Sequence, residues 1–422
     1  MPSDAKRWWI AVSGTCLQVC LGSVYAWSYF QIPLMTRYQW SNTQVSWVFS
    51  LAICFLGLAA AWGGMNLGKY GPRRLAILGG LLFGGGTLIA ALALHLESLV
   101  LLYLGYGMVG GMGLGLGYVT PVATVAKWFP DKKGFVTGMV VMGFGLGAMV
   151  MSKVLAPLLM AITGGNLVYV FSLLGLFFLV VATGCGAMLS NPPSLSTASP
   201  DGCEAVTVRG VLLSRRFLVM WSVFFCNIVA GIAVIGFQSP MLQDLLKKGN
   251  PVLSAASLVS AGATLIAVSS LFNGMGRFLW GGLSDRIGRI RVFRLMLATQ
   301  GLAFLVLSKV ETPWLFAVLV CYVLLCYGGG FGAMPAFVLD VFGVKRMPVV
   351  YGSILTAWSA AGIVGPQIVA WLKDHYAQQA GLMSFLMGAG FLLLGLALSW
   401  TLTDDPFAVR KPVRLHKGAN GV

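Results

Sequence analysis

Charge is what this sequence has least of. Of 422 residues, only 9% are Asp, Glu, Lys or Arg, while 58% are hydrophobic. A soluble domain carries about a quarter of its residues as charges, so this balance excludes one and predicts a polytopic helical membrane protein. Acids are the scarcest part, with twelve Asp and Glu against 28 Lys and Arg. All of them fall in connectors or at expected helix ends, and only Asp340 is recessed at all. The three histidines, His95, His375 and His416, are also at edges. An enzyme needs a base held beside a nucleophile, and none is expected at depth, which argues against a hydrolase or transferase. Carboxylates that could hold sodium are missing for the same reason. The eight cysteines (Cys16, Cys20, Cys54, Cys185, Cys203, Cys226, Cys321 and Cys326) lie mostly inside apolar segments with no histidine at ligand spacing. Neither a zinc site nor a disulfide framework follows, and no cofactor is expected. A cleavable leader is not expected either. Lys6 and Arg7 run straight into an apolar segment ending near Met35, too long for a signal core and without a small-residue cleavage site.

What is abundant is long apolar runs. Hydropathy gives twelve candidate helices, at about 9–35, 44–67, 75–95, 98–126, 135–161, 166–189, 217–243, 254–284, 292–309, 313–341, 351–372 and 380–402. The connectors alternate in charge. One set carries 21 of the 28 basic residues, from Lys6 and Arg7 through Lys69, Arg73 and Arg74 to Arg410 and Lys417. The opposite set holds only Arg37, Lys247, Lys248, Lys309 and Lys373. By the positive-inside rule both termini are cytoplasmic, in a multi-pass protein of the cell (inner) membrane. The net charge of +16 is therefore topological, with some attraction to anionic lipid, and nucleic-acid binding is not expected. The 55 glycines cluster in runs such as Gly107–Gly117 and Gly143–Gly147. At membrane depth, without a strand before them, these read as close helix packing rather than phosphate binding.

The chain repeats itself. Between the sixth and seventh runs, a polar stretch rich in helix breakers, from Asn191-Pro192-Pro193 to Pro200-Asp201-Gly202, reads as a linker. The expected organisation is a six-helix bundle over 1–189, a cytoplasmic linker over 190–216, a second bundle over 217–402 and a cytoplasmic tail over 403–422. Gly64-Met65-Asn66-Leu67-Gly68-Lys69-Tyr70-Gly71-Pro72-Arg73-Arg74 follows the second helix. Gly281-Gly282-Leu283-Ser284-Asp285-Arg286-Ile287-Gly288-Arg289 follows the eighth, 217 residues on. Duplicated six-helix units are the sequence mark of alternating-access transport, with substrate bound between the halves.

One charge breaks the pattern. Arg277 lies eight residues before Asp285, at the end of an uncharged run from Gly249 to Gly276. At about 1.5 Å per residue it sits roughly 12 Å inside the membrane edge. A cation there costs about 2.5 kcal/mol or more, and usually faces an interior cavity where it serves transport or ligand binding. Asn273 shares its face four residues earlier, so the pair resembles half of a carboxylate clamp. Lys153 is the other deep charge, and is either functional or snorkels outward. Aromatic lining candidates are Tyr25, Trp27 and Tyr29 in the first helix and Tyr118 in the fourth, with Tyr327, Phe331 and Trp358 in the second half. Tyr118 and Tyr327 stand beside the helix-breaking Pro121 and Pro335.

The loop Gly281–Arg289 and its weaker copy resemble the signature loop of the major facilitator superfamily, although Gly68 stands where that family usually has aspartate. The resemblance covers all twelve helices. It implies an all-α integral membrane fold of two pseudo-symmetric six-helix bundles, a transporter and no enzyme. Two related branches of it resemble this chain. Trp128-Phe129-Pro130-Asp131-Lys132-Lys133-Gly134, Val24-Tyr25-Ala26-Trp27 and Arg277 are similar to the monocarboxylate transporters, while Leu21-Gly22-Ser23-Val24-Tyr25-Ala26-Trp27-Ser28, Lys127-Trp128-Phe129-Pro130 and Arg277 resemble the oxalate:formate antiporters more closely in wording. Asn273 stands where the animal monocarboxylate carriers have aspartate, and Tyr29 where they have a first-helix lysine. Trp358 occupies the place of the oxalate carriers' second cation.

A chamber with one cation and one more bulky ring suits a substrate with one carboxylate, since a dianion would keep an uncompensated buried charge. The resemblance thus implies proton-linked symport of a small organic monocarboxylate such as lactate or pyruvate by a monomer in the bilayer, or else exchange in the oxalate:formate style. Expected substrate ligands are Arg277, Asn273, Tyr118, Tyr327, Phe331, Trp358, Tyr25 and Tyr29. The proton is expected on the substrate, on a tyrosine network such as Tyr118 and Tyr327, on Lys153, or on Asp340, unless Asp340 only pairs with a loop cation such as Lys345. No metal is expected.

Overall fold

In lipid no water can satisfy a backbone amide, so each long apolar run has to close its own hydrogen bonds as a helix. The computed structural model describes residues 4–129, 133–192, 208–343 and 346–402. The centre of the expected linker, the tail from 403, Asp131, Lys132 and Lys345 lie outside them. Among the described residues there are twelve helices long and apolar enough to cross a membrane, and no strand. They are α1 (Ala5–Tyr38), α2 (Asn42–Tyr70), α3 (Pro72–His95), α4 (Leu99–Trp128), α5 (Val136–Ile162), α6 (Leu167–Ala187), α7 (Arg215–Gly249), α8 (Ala255–Ile287), α9 (Arg289–Leu307), α10 (Pro313–Phe342), α11 (Val349–His375) and α12 (Ala380–Ser399). Several run past their hydropathic bounds because polar caps extend them. Ser41 and Gln44 form a reciprocal capping box at α2, and Ser214 and Ser254 accept amides at the starts of α7 and α8. The expected linker also contains a short helix, Val208–Leu212, and α7 starts two residues inside it.

The repeat is visible in the backbone. Gly71 and Gly288, at matching places after α2 and α8, both adopt positive φ (75° and 98°), which glycine reaches without side-chain strain. Helices α1–α6 and α7–α12 form two bundles. The bundles meet chiefly along two seams, α2 against α11 and α5 against α8, with α1 also touching α7. At the α5–α8 crossing the backbones nearly touch. A β-carbon on Gly145 would stand 2.8 Å from the Cα of Gly274, and the hydroxyl of Ser270 donates to the carbonyl of Gly145. The α2–α11 seam is bonded along its length. Ser359 donates to the carbonyl of Cys54 at 2.7 Å, Gln367 to the hydroxyl of Ser50 at 3.1 Å, and both oxygens of Asp374 accept amides at the start of α2.

Regular helix fails at four places that matter for the centre. Ser23–Ala26 is a 3₁₀ turn within α1, Tyr103–Gly110 and Met151–Leu155 are π-helical stretches of α4 and α5, and α11 breaks at Leu355. Such departures concentrate where a side chain has to be re-aimed.

Candidate functional site

Ser270, Asn273 and Arg277 recur at helical spacing and so share one face of α8. That face is buried against α5 and α10. Arg277 is only 4% exposed. Its Nη1 donates to the carbonyl of Val141 on α5 at 2.9 Å. The guanidinium lies 5.9 Å from the ring centre of Phe144 on α5 and 5.4 Å from that of Phe331 on α10, within cation–π range. Its Nε and Nη2 have no hydrogen-bond partner. Those two N–H groups point the same way from one edge of the guanidinium. This is the fork on which a carboxylate makes two parallel bonds.

Asn273, 1% exposed, has neither amide atom partnered. It lines a crevice with Tyr25, Gln238, Ser269 and Ser270 that is too tight for a water molecule. Leaving a buried amide unpaired costs about 1–3 kcal/mol, so a polar guest on this face would remove a penalty as well as add a contact.

An aromatic box surrounds the guanidinium. The hydroxyls of Tyr25 and Tyr327 are 2.7 Å apart, joining the two bundles across the centre. Trp358 is packed among Tyr118, Phe144 and Phe331 with ring centres 5.3, 5.9 and 4.6 Å away. Tyr118 and Tyr25 each stand edge-on to Phe144 at 5.1 Å. Tyr327 and Phe331 touch at 5.2 Å. The structure therefore brings six of the eight expected ligands into one contiguous cluster, with Asn273 a turn away on the same helix. Tyr29 goes elsewhere. It is edge-on to Phe30, which packs on Phe171 in a separate aromatic group of the first bundle.

Two ring residues were not expected. Phe144 touches Arg277, Tyr25, Tyr118 and Trp358, yet in the sequence it is one residue inside a glycine run that reads as packing alone. Tyr351 lies within electrostatic range of both Tyr118 and Arg277. Its only sequence signal is its place just before the α11 break.

The remaining charges are outside the box. Asp340, with a side chain 15% exposed, accepts from Nε of Arg289 at 3.1 Å, and Arg289 also pairs with Asp285 at 2.6 Å. Asp340 is thus engaged with the start of α9. Lys153 is exposed on α5, and its ammonium donates to the hydroxyl of Thr264 on α8 at 2.6 Å. Among the described residues the ion pairs include Lys248–Glu311, Asp285–Arg289–Asp340 and Asp244–Lys373, and none of these enters the aromatic box. Among the described residues the box therefore holds one cation and no carboxylate. Such an arrangement can receive an anion through a two-pronged donor in an apolar setting.

The profile described as Major Facilitator Superfamily matches residues 13–366 and 263–419. The uncharacterized MFS-type transporter YhjX of Escherichia coli is 27% identical over 86% of this chain and 88% of its own length. Apicoplast pyruvate carrier 1 of Toxoplasma gondii is 25% identical, covering 92% of this chain and 87% of that protein. The oxalate:formate antiporter of Oxalobacter formigenes is 23% identical over 93% and 91%. In fold, the chain resembles a bacterial homologue of the human lysosomal transporter Spinster, solved in an inward-facing, unoccupied conformation. The TM-score is 0.69 at 15% identity, over 94% of this chain and 97% of that one.

Proposed function

This chain belongs to the major facilitator superfamily, a transporter and not an enzyme, and from that premise we propose that it carries short monocarboxylates of the lactate and pyruvate type together with a proton. The observation that carries the reading is the bare edge of Arg277. A buried cation with an unpartnered fork, in a box without carboxylates, supports binding of one carboxylate. The pairing would leave the loaded centre close to neutral, whereas a dicarboxylate would bring in a second, unmatched charge. The pyruvate carrier of Toxoplasma among its relatives supports the same substrate class.

In the mechanism we propose, the carboxylate docks on Nε and Nη2 of Arg277. Asn273 meets the neighbouring oxygen, and Tyr118, Tyr327, Phe331 and Trp358 close around the short apolar tail, with Tyr25 reaching Tyr327 across the seam. The bundles rock about the bound anion so that it faces one side and then the other. The basic connectors support cytoplasmic termini and a cell-membrane location, and the protein works as a monomer. Tyr29 and Lys153 take no direct part in anion binding. The proton travels with the substrate or through the tyrosines, with Asp340 as the outlying candidate.

Exchange is a second reading, favoured by the lack of a carboxylate in the box to hold a coupling proton and by the Oxalobacter relative. Proteoliposomes with an imposed inward proton gradient and no internal anion separate the two. Symport requires labelled lactate to accumulate several-fold above its external level. Uptake only when the vesicles are preloaded with a carboxylate means exchange. Absence of both for lactate and pyruvate, in a carrier shown to be folded, overturns the substrate class.

A further inference from the structure

Lys153 is exposed although it lies within a membrane-spanning helix, nine residues before the end of α5, roughly 14 Å along its axis. Its described partner is a neutral hydroxyl, Thr264. A lone hydroxyl solvates an ammonium only in part, and the surroundings at that depth are hydrocarbon, so the cation is short of an anion. Thr264 is also a wall of an apolar groove of about 360 Å³ on the outer surface of the second bundle. The groove runs between the end of α7 and the starts of α8 and α10, lined by Leu242, Leu246, Leu265, Val268 and Trp314 among others. Trp314 is 67% exposed at the first turn of α10, where an indole marks the membrane interface. At that rim Lys248 and Glu311 already pair with each other.

Cation and groove therefore adjoin through one residue, and a ligand filling both would have an anionic head and a long apolar tail. We propose that this is a binding site for an anionic phospholipid, its phosphate on Lys153 and one acyl chain in the groove. Zwitterionic lipid has the same tail, but it brings a positive headgroup charge beside Lys153, so the site discriminates by charge. Lys153 belongs to the first bundle and the groove to the second. The bound lipid thus spans the α5–α8 seam and favours the arrangement in which the two are in contact.

Native mass spectrometry of the full chain tests this, after equilibration with mixed micelles holding equal phosphatidylglycerol and phosphatidylcholine. The wild type is expected to retain phosphatidylglycerol about tenfold over phosphatidylcholine. Lys153→Gln should bring the two to parity, and Lys153→Arg should restore the preference. Ala317→Phe, which fills the groove, should lower retention of both. Only variants that elute as a single species are compared. Equal retention of the two lipids by the wild type, or an undiminished preference in a folded Lys153→Gln protein, overturns the proposal. Transport in vesicles of pure phosphatidylcholine, against vesicles with one fifth phosphatidylglycerol, gives the second readout. The wild-type rate should depend on composition and that of Lys153→Gln should not.

Discussion

Arg277 presents its charge as a planar fork, and lysine in its place would keep the charge while losing the fork. Arg277→Lys is expected to lower lactate uptake at least about tenfold at unchanged membrane abundance, since one of two parallel bonds and the stacking on Phe144 and Phe331 both go. Near-normal uptake would remove Arg277 as the anion site. Trp358 allows the complementary test, because it packs edge-on against Phe331 where a second cation would serve a dianion. Trp358→Lys should raise the potency of oxalate relative to lactate by about tenfold in competition assays, through an added opposite charge in a poorly screened site. An unchanged ratio would leave charge count irrelevant to selectivity. At this scale the sequence was legible wherever depth could be measured from a neighbouring charge, as with Arg277 and Asp285. Tyr29 shows what spacing alone misses. It stands four residues after Tyr25, on the same face of an unbroken α-helix. The 3₁₀ turn Ser23–Ala26 advances the phase by about 20° more per residue, and Tyr29 ends on Phe30 instead.

Elements meet through backbone as much as through side chains. Asp374, near the end of α11, accepts from the amides of Asn42 and Thr43 at 3.0 and 2.8 Å and from the Asn42 side chain at 2.9 Å. A carboxylate on the first turn of α2 is stabilised by that helix's dipole, and here it comes from the other bundle. Because Asp374 is exposed, the contact stabilises closure by only about 1 kcal/mol. Asp374→Asn should open this end of the seam roughly fivefold more often, read as faster maleimide labelling of a Ser50→Cys reporter in a cysteine-free background. An unaltered labelling rate would show the contact to be incidental to closure. At the far end of α10, Asp340 joins Arg289 and Asp285. Asp340→Asn removes one of the two acids on that guanidinium. If Asp340 carries the coupling proton, gradient-driven accumulation disappears while exchange between preloaded vesicles persists. Both rates falling together would make it a clamp between α9 and α10. No hydropathy profile contains the α2–α11 contacts, since Asn42 and Asp374 are 332 residues apart in polar connectors of opposite halves.

For the molecule as a whole, composition and the repeat were enough to give twelve helices in two bundles, because lipid permits so few ways of satisfying a backbone. What they could not give was how the halves touch. The seams depend on which small residues face each other, and 55 glycines offer too many choices. Phe144 was lost among them for that reason. The closed centre also bears on the whole transport cycle. With the crevice too tight for water and the box filled by rings, a substrate that binds Arg277 as proposed would have to displace packed aromatics. Branched or bulky acids should therefore compete poorly with lactate. A set of 2-hydroxy acids of increasing chain length is expected to lose potency steeply, and a flat series would show the box to be wider during turnover.

The crossing of Gly145 and Gly274 has a mechanical consequence. Where two backbones touch, neither can slide sideways, so the contact acts as a fulcrum for rotation of one bundle against the other. Arg277 is three residues from it along α8, about 4.5 Å, whereas the start of α8 at Ala255 is nineteen residues away, about 28 Å. Any given rotation moves the far end of the helix some six times as far as the backbone of Arg277. Such a lever opens wide gates at the rims while holding the binding site almost still. On the proposed function, one carboxylate would thus stay gripped by the same fork throughout the swing, with no hand-over between two sites.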